Sequence, residues 1–414
     1  MLPRIIYLPR SCKHFFASAR RVLSPEHFGH FWRIVVLVAA LQGRRSLGKI
    51  AQATANRRTR QAIAHFLDGD LWDGAWLLRE KAWDTLRQLG WRSGDTLYVV
   101  LDDTQQRKRG KKMDAVQKLF LHAEKTYAPA HIFVTCVLVY HGVVIPYAVR
   151  LWLPQDFSRQ EGLSFRKLTE LAAEMIGQVA FPGKSKGKVI ALFDAYYLCP
   201  VVTQACEGRG WAYISVAKKN RNFFPQGRDR DKRKLSRYGR NVLRRNGRAM
   251  KVCGKPHRLA ERVGRLSKAG TVKLVFSRRV RDRAWVVLVT NQRQWSAKTI
   301  VAHYQQRWGI EVLFKMTKQH LGLGDYQVLG YRAIENYLRL VLFAYLLLTH
   351  QALRASDVQA ELKQRHHVLR LASIPHLQQE LRAAIWHDVV HRMETHPKQR
   401  SMGRKIKEFL RKCA

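Results

Sequence analysis

"TLYVVLDD" (96–103) is an unbroken apolar run that ends in two acids, and "KVIALFDAYY" (188–197) repeats the arrangement with one acid. Runs this short, rich in β-branched and aliphatic residues, read as strands buried on both faces rather than as helices. A mixed sheet flanked by helices sets the C-terminal ends of such strands side by side. Polar chemistry usually sits there. Asp102, Asp103 and Asp194 are therefore the first candidate functional residues.

The surrounding sequence supplies the rest of an α/β core. "HIFVTCVLVYHGVVIPYAVRLWL" (131–153) reads as two strands joined at His141-Gly142. "RKLTELAAEMIGQVA" (166–180) has the period of an amphipathic helix, a short helix is expected near 200–208, and "WAYISVAK" (211–218) is a further strand. Upstream, 1–25 reads as a loosely packed basic lead-in and 26–92 as helical. "SLGKIAQATANRRTRQAIAHFLDG" (46–69) offers Ser46 as an N-cap, a polar break near Asn56, and a second helix with Arg57, Arg58 and Arg60 at its start. That fits a helix-turn-helix with phosphate-facing arginines. It fits a plain helical bundle with a solvated basic face equally well. Ten Lys and Arg lie between Arg228 and Arg248 with few apolar residues, which reads as a basic loop or arm. "GTVKLVFSRRVRDRAWVVLVTN" (270–291) is a second pair of strands, and 331–414 is helical with a basic tail.

Charge narrows the class. Lys and Arg number 75 against 30 Asp and Glu, a formal net charge of +45 at pH 7. Such an excess repels itself in a compact chain and calls for an anionic partner, nucleic acid first. The apolar runs near residue 35 and at 338–350 fall short of the ~20 residues that cross a bilayer. A cytoplasmic protein without a membrane partner is expected. The six cysteines are scattered with no CxxC pair, so neither a disulfide framework nor a zinc ribbon is indicated.

"YQQRWGIEVLFKMTK" (304–318) places one acid among cations and aromatics. Read as one helix, Tyr304, Arg307, Glu311 and Lys318 fall in a stripe roughly 60° wide, with Ile310, Leu313 and Phe314 opposite. The stripe is about 21 Å long, too long for one small ligand but suited to an extended polyanion. Taken alone, Glu311 would be explained by an ordinary i, i+4 pair with Arg307. Two aspartates at strand ends change the balance. Two aspartates and a glutamate make a poor salt-bridge network and a good divalent-metal site.

The spacing Tyr304-x2-Arg307-x3-Glu311-x6-Lys318 resembles the YREK signature of bacterial insertion-sequence DDE transposases at every position. "DT" at 103–104 resembles the first catalytic segment of that family and "FDAYY" the second; "RKRGKK" (107–112) is similar to a Lys/Gly-rich run of one branch. The resemblance implies a ribonuclease-H-like mixed sheet. It implies Asp103, Asp194 and Glu311 as catalytic ligands of two Mg²⁺ (or Mn²⁺) ions, with Tyr304, Arg307 and Lys318 on DNA. It further implies double-stranded DNA as partner, as transposon terminal inverted repeats and as target, with a homodimer handling the two ends on the bacterial nucleoid. The expected domains are a helical DNA-binding region (1–92), a catalytic core in two parts (93–218 and 293–350), a β-rich basic insertion domain (219–292) and a helical basic C-terminal region (351–414). Trp285, ahead of "VVLVTN", is similar to an insertion-domain tryptophan that holds a flipped base; a core-packing role is the alternative.

Asp102 and Asp103 point to opposite faces of a strand. The resemblance favours Asp103, because the family pattern puts a Thr after the catalytic Asp, leaving Asp102 as an outer partner or a cap. Asp156 in "LPQDF" is a rival second acid, but it follows a hairpin strand. "GQVAFPGKS" (177–185) has one residue too many for a phosphate-binding loop. "HDVVH" (387–391) carries Asp where a zinc protease needs Glu, and His366-His367 reads as structural or phosphate-facing.

Overall fold

The computed structural model describes residues 8–395 apart from 55–58, 71, 111, 182–187, 280, 283, 364–368 and 370. Arg57, Arg58, His366 and His367 therefore lie outside the described residues. Along the chain come α1 (Ala17–Val22), α2 (Pro25–Ala40), α3 (Leu47–Gln52), α4 (Thr59–Asp68) and α5 (Gly74–Gln88), then β1 (Thr96–Arg107), β2 (Gln117–Leu121), β3 (Thr126–Tyr140) and β4 (Val143–Leu151). They are followed by α6 (Gln155–Gln160), α7 (Leu168–Gln178), β5 (Lys188–Phe193), α8 (Pro200–Glu207), β6 (Ala212–Val216), β7 (Asn222–Phe224) and β8 (Arg233–Lys234). Next are α9 (Leu235–Asn246), β9 (Arg248–Val252), β10 (Lys255–Leu266), β11 (Gly270–Arg279), β12 (Val286–Thr290) and α10 (Ala297–Tyr304). The chain closes with α11 (Trp308–His320), α12 (Tyr331–Ala352), α13 (Ser356–Lys363) and α14 (Ile374–Thr395). The twelve strands form one mixed sheet. The chain divides into two compact units, one of residues 1–90, 106–131 and 313–414, the other of 91–105 and 132–312.

The first unit is mainly helical. α12 is apolar nearly all round and packs against α2, α4, α5 and α14, as a helix buried on every side must. Side-chain caps fix several starts: Ser24, Ser46 and Asp73 accept the backbone N–H groups of His27, Lys49 and Trp76. The described part of the lead-in, from residue 8, is not loose. Cys12, Phe15, Phe16 and Ala19 are buried, and Phe16 meets Phe31 edge-on at 5.8 Å between ring centroids. Four apolar side chains among the cations of 8–22 suffice to dock this segment once α2 offers its aromatic face.

The second unit holds the two acid-tipped strands. β1 and β5 are parallel, with Leu101 opposite Phe193, and β6 pairs with β5 on the other side, also parallel. β3 and β4 form the expected hairpin, and both turn residues, His141 and Gly142, have positive φ (49° and 78°), which matches the strand twist. β12 continues the sheet antiparallel to β6, followed by β11, β10, β7 and β8, with β9 on β10.

The stretch between Arg228 and Arg248, expected as a basic loop or arm, is instead ordered mainly as β8 and α9. Leu235, Gly239, Val242 and Leu243 are the buried residues of α9. Their spacing of 4, 3 and 1 makes one narrow face. The arginines occupy the rest, so composition hid the periodicity. A Cβ at Gly239 would come within 2.7 Å of the Phe276 and Trp285 rings, so glycine there lets the helix lie against the sheet. Among the described residues no helix is long and apolar enough to cross a membrane.

Candidate active site

β1 and β5 deliver the aspartates. Because the strands are parallel and Leu101 is level with Phe193, Asp102 and Asp194 follow at the same height on neighbouring strands. β5 ends there, and Asp194 Oδ1 turns back to accept the N–H groups of Tyr196 (2.8 Å) and Tyr197 (3.4 Å). This is an aspartate turn that fixes the carboxylate. From β6, the Ser215 hydroxyl donates to the Asp194 carbonyl at 2.8 Å. Asp103 is held from another side: the buried Tyr197 hydroxyl donates to its Oδ1 at 2.9 Å. Asp102 Oδ1 accepts the Asp103 N–H at 3.0 Å.

Arg307 ties the third carboxylate to this group. One terminal nitrogen donates to Asp102 Oδ2 at 2.9 Å and the other to Glu311 Oε1. The local i, i+4 pair therefore forms, and Asp102 extends it into a bridge across 205 positions of sequence. The motif is not one continuous helix. A 3-10 turn, Gln305–Arg307, separates α10 from α11. At three residues per turn, side chains three apart eclipse. Arg307 accordingly lies 5.8 Å from the Tyr304 ring. Gly309 seats α11 on the hairpin: a Cβ there would come within 2.7 Å of Val144 Cγ2.

The electrostatics are those of carboxylates crowded in a half-dry place. Burial pushes the Asp102 carboxyl up to about 7, Asp194 and Asp103 push the same way, and Arg307 opposes them. Burial alone would lower the Arg307 guanidinium, but Tyr304, Asp102, Glu311 and Asp194 outweigh it and hold the charge. The Tyr304 hydroxyl is pushed up to about 12, first by burial. Tyr197 lies well above its ordinary value, again first by burial and then by Asp103. Both phenols are therefore hydrogen-bond donors at neutral pH.

The structure thus brings Asp102, Asp103, Asp194, Tyr304, Arg307 and Glu311 together. Asp156 is elsewhere, exposed in the first turn of α6. Lys318 is exposed on the part of α11 that belongs to the first unit. Arg60 is exposed on α4. Trp285 is half-buried: Phe276 is 6.2 Å away between centroids, and Lys219 Nζ lies 4.3 Å above its ring. Tyr197 and Ser215 were missed by sequence reasoning. Tyr197 carries a signal, a second aromatic in "FDAYY" one helical turn past the acid; Ser215 carries none.

As they stand, no three His, Cys, Asp or Glu side chains among the described residues form a group able to hold a metal ion. The Arg307 guanidinium lies between Asp102 and Glu311. The donor chemistry still fits a hard divalent cation, since all the acceptors are carboxylate oxygens.

A family model described as DDE superfamily endonuclease matches residues 34–284, more than half of the chain. The chain belongs to that family. The match takes in both strand-end aspartate positions and stops short of Arg307 and Glu311. No curated protein matches the chain.

Proposed function

We propose that the protein is a DDE transposase: it binds the terminal inverted repeats of an insertion sequence, hydrolyses DNA phosphodiesters there, and joins the exposed 3′-hydroxyl ends to target DNA. The observation that carries the reading is the Arg307 bridge, which links Glu311 to the aspartate on the strand next to Asp194. The core is read as ribonuclease-H-like because its acids lie at the ends of adjacent parallel strands. The YREK reading of 304–318 rests on the same bridge.

Asp194, Glu311 and one of the aspartates at 102–103 are the proposed catalytic carboxylates. Asp102 takes the position that faces Glu311, since it shares Arg307 with it; Asp103, favoured by the following Thr, is held by Tyr197 instead. These residues would hold two Mg²⁺ or Mn²⁺ ions, which when bound stabilise the attacking and leaving oxygens of the displacement. The fork of Arg307 matches a phosphate as well as a carboxylate, so it can pass from the carboxylates to the DNA backbone. Tyr304 donates beside it. Lys318, Arg57, Arg58 and Arg60 would add sequence-independent phosphate contacts. Trp285 would accept an unpaired base, and on one ring face Lys219 would have to give way.

The test is incubation of the purified protein with DNA carrying the element's own ends, in Mg²⁺ or in EDTA, with products mapped on both strands. Metal-dependent nicks at both ends and joined products are expected, and both should vanish in Asp194→Asn and Glu311→Gln while end binding persists. Cleavage without joining would reduce the protein to a metal-dependent nuclease. Binding without cleavage would make it a DNA-binding derivative.

A further inference from the structure

The first unit contains a cavity of about 1000 Å³, walled by four separated segments: 41–45, 107–113, 318–329 and 375–382. Seven of its lining residues are Lys or Arg and one, Asp325, is an acid. The whole chain has 75 cations to 30 acids, so the cavity is far more one-sided than the protein. Asp325, which also accepts the Arg45 backbone N–H at 2.6 Å, offsets only part of this excess, being one carboxylate against seven cations.

Two of the cations are built in rather than solvated. Arg45 is buried and donates to the carbonyls of Val38 (3.1 Å), Gly43 (2.6 Å) and Leu41 (2.6 Å), which fixes the 41–45 wall. Lys108 is buried too. Its Nζ donates to the Gly324 and Tyr326 carbonyls (3.0 and 3.3 Å) and sits 3.0 Å above the centre of the Tyr326 ring. The Tyr326 hydroxyl is in turn bonded to His131 Nδ1 at 2.8 Å, so the floor under the lysine is rigid. An ammonium has three donors, and two are engaged here. Arg44, Arg109 and Lys318 are exposed around it.

Cations crowded in a concavity repel one another at close range, and an anion inside relieves what Asp325 leaves uncompensated. The volume exceeds what one phosphate fills and lies in the range that holds a small organic ligand. We infer that this cavity is a binding site for one or two nucleotides of a single DNA strand, with the phosphates on Arg44, Lys108 and Arg109. The inference rests on the proposed DNA substrate and adds to it a separate strand-holding site. Single-strand sites combine a cationic groove with room for unstacked bases, and arginine planes can stack on them. A free nucleotide offers the same phosphate chemistry, so the test must separate the two sources.

Fluorescence anisotropy on the full chain does so, with labelled twelve-residue oligothymidylate, a twelve-base-pair duplex, and unlabelled thymidine triphosphate as competitor. Arg44→Glu/Arg109→Glu should weaken oligothymidylate binding about tenfold or more and lower its salt slope by about 1.4 for two lost phosphates. The duplex should lose less. Lys13→Glu/Arg20→Glu, an equal charge change on an exposed face of the same unit, should shift single-strand affinity much less. An equal loss in the two double variants would reduce the site to net charge and overturn it. Thymidine triphosphate binding more tightly than the oligonucleotide would overturn the strand assignment. If the native protein bound neither DNA, the proposed function itself would fall instead.

Discussion

The second unit gathers carboxylates around one guanidinium, and the first gathers cations around one carboxylate. In both places burial works against the charged form: it raises Asp102 to about 7 and lowers Lys108 to about 7. A fold optimised for stability alone would not keep either group, because well-packed apolar residues do as well or better in such positions. What differs is the internal remedy. The acidic cluster has Arg307, which joins two of its members. The basic cavity has a single acid, Asp325, against seven cations. The first site thus keeps an excess of carboxylates over its one guanidinium, which a further cation would relieve, and the second an excess of cations, which an anion would relieve.

The largest effect should come from breaking the acidic half. Asp102→Asn removes the carboxylate that faces Glu311 and should slow DNA nicking about a thousandfold, the several kcal/mol expected for a metal-liganding group. Asp103→Asn keeps a hydrogen-bond acceptor for Tyr197 and should slow nicking only about tenfold. Single-turnover nicking rates decide it. The reverse order would return the ligand role to Asp103 and make Asp102 the arginine's anchor.

A smaller effect should appear in stability against pH, and it has opposite sign in the two regions. The folded Asp102 carboxyl is raised from 3.8 to about 7. Its contribution is fully present below 3.8 and is lost as pH rises to about 7. Lys108 is lowered from 10.5 to about 7. Its contribution is fully present above 10.5 and is lost as pH falls to about 7. Each amounts to a few kcal/mol at most. In metal-free buffer the denaturant midpoint should fall between pH 4 and 7 and rise again toward pH 10. Asp102→Asn should flatten the falling limb only, and Lys108→Met the rising limb only. A curve unchanged in either variant would show that burial is not what strains that group.

The sequence made much of the acidic half legible. The strands 96–103 and 188–193, the hairpin turning at His141-Gly142, and Asp194 at a strand end all follow from local pattern, because buried parallel strands cannot hide their apolar runs. The choice between Asp102 and Asp103 does not follow. Adjacent strand residues look alike in local pattern, and what tells them apart, the Arg307 contact of one and the Tyr197 contact of the other, comes from far along the chain. The 3-10 turn at 305–307 carries no Pro or Gly to announce it. α9 was hidden by its charge count, and the 8–22 segment by having its aromatic partners on another helix. The basic cavity was least legible of all. Its walls come from four segments, and each alone reads as one more stretch of a basic chain.

The smallest effect sharpens how firmly the acidic cluster is held. Gly309 is two residues before Glu311, and any Cβ there would press on Val144 of β4. Gly309→Ala gains helix propensity of roughly 1 kcal/mol. It also forces a contact that costs about 1–3 kcal/mol unless something yields. The net expectation is a loss of about 1 kcal/mol in stability, with a disproportionate loss of nicking because the helix that carries Glu311 must move. Val144→Ala opens the space, so the double variant should recover nicking beyond the sum of the two single changes. Additive losses would mean that the helix is not positioned through this contact. The carboxylates would then owe their arrangement to Arg307 alone.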